Sequence, residues 1–439
     1  MTEEDIEKDI LASWKEISAF LGYDVRTCQR WEKEAGLPVH RVLDSSKSRV
    51  FAFKQEIDEW MNSRTQDRPK NKRKYLYLLI PAALLILTYL VFIFPYSSSQ
   101  PHDFKIKDSK LVVLNKNGKK LWDYDTGIKS LRNEEFYRLF FQFKRISENR
   151  LHPNFPLLVI QDINQDKEKE VLFVPRSLIP ENDTYGLCCL NSKGKENWTY
   201  APGRAMKFGE KLYPSDYTIK GLEVIDLNQD NRVEILILSF NINMFPTTLS
   251  VLDPKGEVKR EYWNSGRITD LVFYDLDEDE EIEIMLAGCN NEYNKGFLAV
   301  LEPDFKSGSS PQTGYYRSSD LMQGVEHQYI LFPGQDLGNP ALNRNPMGRI
   351  NIIDEKSVSV ESQSGLIYEF DFDFALKEIR FADRYEDFYN EAYQKGLTKS
   401  KFTAKTMAEL KSELMAQISY FNGRRWVPTP VSSENKPIQ

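Results

Sequence analysis

The sequence is poor in the residues that build metal-centred or disulfide-linked scaffolds. Its 439 residues include only four cysteines and four histidines, and no two cysteines have Cys-x-x-Cys spacing. A structural zinc site and a disulfide framework are therefore both disfavoured. The formal charge of −7 is too small to indicate a protein that coats nucleic acid along its whole length. The first fifteen residues are acidic and polar, so they do not resemble a secretory signal peptide.

Catalytic patterns are scarce as well. The chain after residue 105 has no recognisable Ser/His/Asp or Cys/His arrangement and no phosphate-binding glycine loop. The adjacent Cys188 and Cys189 would point to opposite faces of a strand, which favours packing over redox chemistry. We therefore expect a protein that binds and does not catalyse.

One long apolar run interrupts this polar sequence. Residues 75–94 read YLYLLIPAALLILTYLVFIF without a charge, and about 20 apolar residues are needed to cross a bilayer as a helix. A buried helix of a water-soluble domain is the alternative. Five lysines and arginines lie within residues 68–74, which by the positive-inside rule predicts a cytosolic amino terminus. The expected location is the bacterial cytoplasmic membrane, crossed once, with the carboxy-terminal domain outside the cytoplasm.

Residues 11–61 predict a small α+β domain. Apolar residues spaced by three and four predict a helix up to Leu21, and Asp24 is a candidate N-cap for a second helix over residues 25–35. Cys28 and Trp31 share the apolar face of that second helix. A hairpin and a further helix follow.

At these residues, W14KEISAFLGYDVRTCQRWEKEAGLP38 and R49VFAFKQEIDEWM61, the chain resembles the winged helix-turn-helix of the MerR and excisionase families. The resemblance implies binding to double-stranded DNA, with Cys28 and Trp31 in the core. A helical adaptor domain with a charged face is the alternative. No coiled-coil helix follows, so a homodimer would need another contact. The residues expected to face DNA are Arg26, Thr27, Gln29, Arg30, Lys33, Arg41, Lys47 and Arg49.

Two patterns alternate beyond residue 105. Apolar and aromatic strands flank a turn in LVVLNKNGKKLWDYDTG, LCCLNSKGKENWTYAPG and LSVLDPKGEVKREYWNSG. Each hairpin is followed by a strand, an acidic loop and a strand. The repeat spacing suits four-stranded blades of a β-propeller, and we expect five to seven. The hairpins also resemble quinoprotein blades, but Trp122 and Trp198 are expected to pack between blades.

The acidic loops share the pattern Asp-x-Asn/Asp-x-Asp-x-x-x-Glu, which places oxygen ligands at positions 1, 3, 5 and 9 and a backbone carbonyl at position 7. Such a set favours a hard cation, and Ca²⁺ is the expected one. An acidic turn without metal is the alternative. The candidate ligands are Asp162, Asn164, Asp166, Glu168 and Glu170 in the first loop, Asp226, Asn228, Asp230, Arg232 and Glu234 in the second, and Asp275, Asp277, Asp279, Glu281 and Glu283 in the third.

These loops resemble the calcium loops of the FG-GAP repeats in integrin-like propellers. They differ at position 6, where Lys167, Asn231 and Glu280 replace the usual glycine of that family. A side chain there raises the cost of a left-handed turn.

The complete layout resembles membrane-anchored regulators of the ToxR and CadC kind. We expect a multidomain chain: a winged helix-turn-helix, a single transmembrane helix and an all-β propeller-like repeat domain with a carboxy-terminal helix. The expected parts are the DNA-binding domain 1–64, a basic linker 65–74, the transmembrane helix 75–95, a linker 96–106, the propeller 107–427 and a disordered tail 428–439.

The predicted function is that of a membrane-anchored, DNA-binding transcriptional regulator. Its calcium-stabilised outer propeller would act as a sensor or bind an unknown extracytoplasmic ligand or protein. The alternative is a membrane-anchored adhesion or scaffold protein, whose propeller binds a partner and whose helix-turn-helix binds a cytosolic protein.

Overall fold

The computed structural model describes residues 9–42, 49–65, 99–142, 156–179, 186–243, 245–354 and 356–431. The chain divides into two compact units, residues 1–93 and 94–439. We describe each unit by itself.

The described residues of the amino-terminal unit form three helices and a three-stranded antiparallel sheet of order β1-β3-β2. Its elements are β1 (Ile10–Leu11), α1 (Trp14–Leu21), α2 (Val25–Ala35), β2 (His40–Val42), β3 (Arg49–Phe53) and α3 (Lys54–Thr65).

Capping side chains define the ends of the first two helices. Ser13 accepts a hydrogen bond from the Glu16 backbone N–H, and Asp24 accepts one from that of Thr27, so each satisfies a free donor of the first turn. Gly22 and Gly36 end the helices in the left-handed conformation that glycine adopts without strain. The sequence predicted both helices and the Asp24 cap.

The core of this unit is small and apolar. Ile17, Cys28, Ala52 and Ile57 are fully buried in it, and Trp31 packs against its edge. Cys28 and Trp31 thus lie on the inward side of α2, as the periodicity predicts.

The membrane assignment requires a correction. The predicted span, residues 75–95, lies outside the described residues. Within the described part, no helix is long and apolar enough to cross a membrane. The longest, Ala404–Gln417, has 14 residues, about 21 Å at roughly 1.5 Å per residue, and is rich in charge. The single-pass layout in the bacterial cytoplasmic membrane is therefore not supported, and we do not retain it.

The larger unit is predominantly β-structure. Its first strands are β4 (Asp103–Lys107), β5 (Lys110–Leu114), β6 (Lys120–Asp125), β7 (Leu158–Gln161), β8 (Glu170–Phe173), β9 (Leu187–Leu190), β10 (Glu196–Tyr200), β11 (Met206–Phe208) and β12 (Lys211–Tyr213). The central strands are β13 (Tyr217–Ile225), β14 (Glu234–Asn241), β15 (Thr247–Leu252), β16 (Val258–Asn264), β17 (Ile268–Tyr274), β18 (Glu283–Asn290), β19 (Lys295–Leu301), β20 (Gly308–Ser309) and β21 (Gln328–Leu331). The last are β22 (Met347–Asp354), β23 (Ser357–Ser362), β24 (Leu366–Asp371), β25 (Leu376–Phe381), β26 (Ser419–Phe421) and β27 (Trp426–Val427).

Four helices accompany these strands in the described part of the unit: α4 (Glu134–Gln142), α5 (Pro340–Asn343), α6 (Asp383–Gln394) and α7 (Ala404–Gln417). The sequence predicted α7 but not α4 or α6.

Five blade-like sheets follow one another along the chain. In order they are β4-β5-β6, β10-β9-β8-β7, β13-β14-β15-β16-β20, β17-β18-β19-β21-β26-β27 and β22-β23-β24-β25; we call them the first to fifth sheets. Neighbouring sheets share apolar cores, with Val113, Val171 and Ile237 in one such core. The expected all-β repeat domain is confirmed at this level.

Tryptophans connect successive sheets. The Trp122 indole N–H donates to the Ser192 carbonyl at 2.8 Å, and the Trp198 indole N–H donates to the Pro254 carbonyl at 3.0 Å. In each pair a tryptophan of one sheet lies against a turn of the next. Both residues pack between blades, as the sequence predicts.

Candidate metal loops and binding surfaces

The three acidic loops share one backbone conformation. Each connects the first two strands of a sheet, in the second, third and fourth sheets. Their fourth and sixth residues all have φ angles from 52° to 73°: Gln165, Lys167, Gln229, Asn231, Glu278 and Glu280. The loops therefore adopt left-handed turns with side chains at the position where glycine is usual in FG-GAP repeats.

Hydrogen bonds within each loop stabilise this turn. The aspartate at position 1 accepts a bond from the backbone N–H of position 6, at 2.9 Å in the first two loops and 3.1 Å in the third. The aspartate at position 5 accepts one from position 7, at 2.7 to 2.8 Å. These bonds orient the aspartates toward the inside of the turn.

The glutamate at position 9 makes the same backbone contact in each loop, and it is buried in the first and third loops and half-buried in the second. One carboxylate oxygen of Glu170, Glu234 and Glu283 accepts the backbone N–H of position 2 at 3.1, 3.1 and 2.7 Å. Burial raises the pKa of Glu170 to about 6 and that of Glu283 to about 7; the nearby acids Glu302 and Asp277 add to the shift at Glu283. A bound cation would remove this cost by favouring the carboxylate.

The third loop brings three acidic side chains together. One ligand atom each from Asp275, Asp277 and Glu283 lies within 4.8 Å of the other two. Oδ1 of Asp275 is buried and has no hydrogen-bond partner among the described residues. An unpaired buried carboxylate oxygen inside an all-oxygen cluster fits a hard cation such as Ca²⁺.

The other two loops share the turn without forming an equivalent acidic cluster within the described residues. Oδ1 of Asp226 in the second loop is buried and unpaired, like that of Asp275. In the first loop, the Asn164 amide instead donates to the second carboxylate oxygen of Glu170 at 3.1 Å. The third loop is therefore the most acidic of the three candidate metal sites, because position 3 is an aspartate there and an asparagine in the other two.

Four of the eight predicted DNA-contacting residues lie on the outer face of α2. Arg26, Gln29, Arg30 and Lys33 are exposed, and their side chains form no hydrogen bond or ion pair with any described residue.

The remaining predicted residues differ in their surroundings. The Thr27 hydroxyl donates to Asp24 at 2.6 Å, so it belongs to the helix cap. Arg41 pairs with Glu32 at 2.5 Å. Arg49 is exposed on β3, and Lys47 lies outside the described residues.

An apolar surface lies at the ends of the strands opposite to those that carry the acidic loops. The sequence analysis did not predict it. Leu212, Ile242 and Tyr315 are 66%, 50% and 63% exposed there. The residues that follow two of them in sequence, Tyr213 and Tyr316, have their rings 5.8 Å and 6.3 Å from the ring of Phe245. We call this the aromatic surface.

Backbone contacts join the three segments of the aromatic surface. The Gly209 N–H donates to the Arg317 carbonyl at 2.8 Å, and the Ile242 N–H donates to the Asp216 carbonyl at 2.9 Å. The Lys211 ammonium lies 4.7 Å from the centre of the Tyr213 ring. No local sequence pattern marks this surface, because its parts are up to about a hundred residues apart.

Comparison with known proteins gives only distant likenesses. No family model matches the chain, and no curated protein matches it. A structure of BBS1N in complex with ARL6DN is 9% identical, with a TM-score of 0.31, over 64% of this chain and 64% of that chain. The quinohemoprotein alcohol dehydrogenase ADHIIG from Pseudomonas putida HK5 is 11% identical, with a TM-score of 0.31, over 63% and 40%. The V. cholerae biofilm matrix protein Bap1 is 11% identical, with a TM-score of 0.23, over 62% and 46%.

The chain spans less than two thirds of the length of each of these solved chains. The family assignment also requires a correction. No family model matches the chain, and no described helix is long and apolar enough to cross a membrane. We had assigned the chain to a helix-turn-helix regulator joined by a membrane span to FG-GAP repeats, and this assignment was wrong. The ToxR/CadC-like layout, which depends on it, was wrong as well. What the structure does show is a predominantly β chain with blade-like repeats.

Proposed function

We propose that the larger unit is a calcium-stabilised β-repeat domain that binds a protein partner through the aromatic surface. The observation that carries this proposal is the exposure of Leu212, Ile242 and Tyr315 on segments that also hold the packed rings of Tyr213, Phe245 and Tyr316. Aromatic and apolar groups on a rigid base are typical of the central residues of protein interfaces.

Charge around the aromatic surface favours a partner with acidic side chains at its rim. Lys207, Lys211 and Arg317 are exposed there, and none forms an ion pair with a described residue. Arg344 is also exposed near Tyr316. The nearby carboxylates are the exposed Glu210 and Asp216 and the half-buried Glu292, which accepts the Tyr316 backbone N–H at 2.7 Å, so the rim carries a small excess of positive charge. Such rim charges steer association and add specificity.

Calcium has a structural role in this proposal. The third loop would hold the ion through Asp275, Asp277 and Glu283, and thereby fix the turn between β17 and β18. The repeated loop geometry and the unpaired oxygen of Asp275 support this role. We also propose that the domain binds and does not catalyse.

The test uses the full chain as bait in extracts of its own host. Leu212→Asp and Tyr315→Asp place a charge in the aromatic surface, whereas Leu178→Asp changes a leucine that is 55% exposed elsewhere. We expect a protein that the wild type and Leu178→Asp retain, and that the two surface variants lose. Its purified form should then bind the wild type at least tenfold more tightly than Leu212→Asp. Equal retention by all four proteins would contradict the proposal.

A second candidate function concerns the amino-terminal unit, which we propose binds double-stranded DNA. The outer face of α2 supports it, because Arg26, Gln29, Arg30 and Lys33 are exposed and free of described partners. Arginine and glutamine side chains on one helix face suit the edges of bases and the phosphates of the major groove.

Fluorescence anisotropy with labelled duplex DNA tests this second function. The double variant Arg26→Ala/Arg30→Ala should weaken binding more than tenfold, and Lys15→Ala, which removes an exposed charge from α1, should bind like the wild type. If the wild type shows no binding at low salt, or if the double variant binds equally well, α2 does not contact DNA.

A further inference from the structure

A cleft of about 620 Å³ lies between the second and third sheets, at the end of the strands that carries the acidic loops. Its lining includes Trp198 of β10, Gln165 of the first loop, Arg232 of the second loop and Lys255 of the turn between β15 and β16. This volume falls in the range of roughly 300–1,000 Å³ that is typical of small-molecule sites. The cleft is separate from the aromatic surface, which lies at the other end of the strands.

Several polar side chains around the cleft have no partner within the described part of the chain. The side chains of Gln165, Asn197, Arg232 and Lys255 form no hydrogen bond or ion pair with any described residue, and all four are exposed. The pairing register of β10 with β9 shifts between Glu196 and Trp198, which makes Asn197 the extra residue of a bulge. Bulges redirect side chains and are frequent beside binding sites.

The Trp198 indole is held rigidly at the border of the cleft. Its N–H donates to the Pro254 carbonyl at 3.0 Å. One part of the ring lies so close to Gly256 that a Cβ atom there would come within 2.6 Å of it. A fixed aromatic ring loses little entropy when a ligand packs against it.

The charge of the lining is positive. Among the described lining residues, Arg232 and Lys255 are positively charged and Asp253 is the one carboxylate. Asp253 already forms an ion pair with Lys259 at 2.8 Å and accepts the backbone N–H groups of Lys255 and Glu257. The two cations are therefore available to an anionic group of a ligand.

We propose that this cleft binds an oligosaccharide that carries a carboxylate, such as one containing a uronic acid. The apolar C–H face of a sugar ring packs on an indole, and the amides of Gln165 and Asn197 can each donate to and accept from neighbouring hydroxyls. The guanidinium of Arg232 can bind the carboxylate through two parallel hydrogen bonds, with Lys255 adding a second positive charge. The proposal adds a small-ligand site to the partner-binding function and does not depend on it.

The first experiment applies the purified full chain, at constant calcium, to an array of neutral and uronate-containing oligosaccharides. Hits are then titrated by isothermal calorimetry. We expect uronate-containing chains to be retained in preference to neutral ones of the same length. Retention of no oligosaccharide, or equal retention of neutral and acidic ones, would overturn the proposal.

Variants locate the binding in the cleft. Arg232→Gln should weaken binding of the acidic oligosaccharide at least tenfold, and Lys255→Gln should weaken it by a smaller factor. Lys193→Gln is the matched control, because Lys193 occupies the position of Lys255 in the corresponding turn of the second sheet. Unchanged affinity in Arg232→Gln, or an equal loss in Lys193→Gln, would show that the cleft is not the site.

Discussion

Three equivalent turns each have a glycine at the same position. Comparing them distinguishes the free-energy cost of backbone strain from that of side-chain crowding. Gly118, Gly194 and Gly256 have φ angles of 72°, 80° and 82°. A Cβ atom at Gly194 or Gly256 would meet the Trp122 or Trp198 ring at 2.6 Å, whereas at Gly118 it would meet nothing within 4 Å. The first turn is thus the natural control for the other two.

We predict that Gly194→Ala and Gly256→Ala are more destabilising than Gly118→Ala. In all three variants, a left-handed alanine should lower the free energy of unfolding by about 1–2 kcal/mol. At the two crowded sites, the clash with the tryptophan ring should lower it by about 1–3 kcal/mol more. Urea unfolding of the three variants measures the difference. Equal losses of unfolding free energy in all three variants would mean that the tryptophan rings shift without measurable cost and do not stabilise the contact between sheets.

The buried carboxyl group of Glu283 leads to a prediction about pH. Without metal, its pKa in the folded state is about 7, above the ordinary value of 4.5. The folded state therefore binds more protons than the unfolded state between these values, and this group lowers stability as pH rises through that window. Calcium should reverse the effect, since it favours the carboxylate.

Glu283→Gln should consequently be no less stable than the wild type at about pH 8 without calcium, while its stabilisation by calcium should be reduced. Melting temperatures with chelator and with calcium, at about pH 5 and pH 8, provide the test. Glu135→Gln, which changes an exposed glutamate of α4, is the control and should respond like the wild type. An undiminished response to calcium in Glu283→Gln would remove this residue from the metal site.

At the scale of elements, the fourth sheet depends on a strand from the far end of the chain. β26 pairs with β21, and the Tyr420 hydroxyl donates to the Phe374 carbonyl at 3.1 Å. Ile418 and Tyr420 are only 5% and 3% exposed. The Gln328 amide also donates to the carbonyl of Val431.

Truncation after Gln417 should lower the free energy of unfolding by more than about 3 kcal/mol, because it exposes the edge of β21 and removes buried aromatic side chains. Truncation after Val431 removes none of the described residues and should leave stability nearly unchanged. Chemical denaturation of both truncated chains measures these free energies of unfolding. Equal stability would show that β26 is not needed to complete the fourth sheet.

For the whole molecule, the two compact units predict two separable unfolding transitions. The acidic loops all belong to residues 94–439, so calcium should raise the melting temperature of the larger transition only. Differential scanning calorimetry of the full chain, with chelator and then with calcium, measures both transitions. A shift of both together would indicate that the units unfold as one.

Local patterns accounted for much of this molecule. The helix ending at Leu21, the cap at Asp24 and the strands on either side of each acidic loop follow from residue spacing and turn chemistry, which act over a few residues. The predictions that went beyond local pattern fared less well. The family assignment and membrane location were not upheld. The β11–β12 hairpin was missed because each of its strands has only three residues, and α6 was missed although Tyr385, Tyr389 and Ala392 recur at helical spacing.

The sequence by itself determined the turns: three acidic loops with the same order of oxygen ligands, and hairpins with a tryptophan after the turn. Tertiary structure decided which of these groups meet. The third loop differs already in sequence, because position 3 is Asp277 there and Asn164 or Asn228 in the other two loops. The fold then brings one ligand atom each of Asp275, Asp277 and Glu283 within 4.8 Å of the others. Likewise, the aromatic surface and the cleft at Trp198 exist only where segments distant in sequence pack side by side.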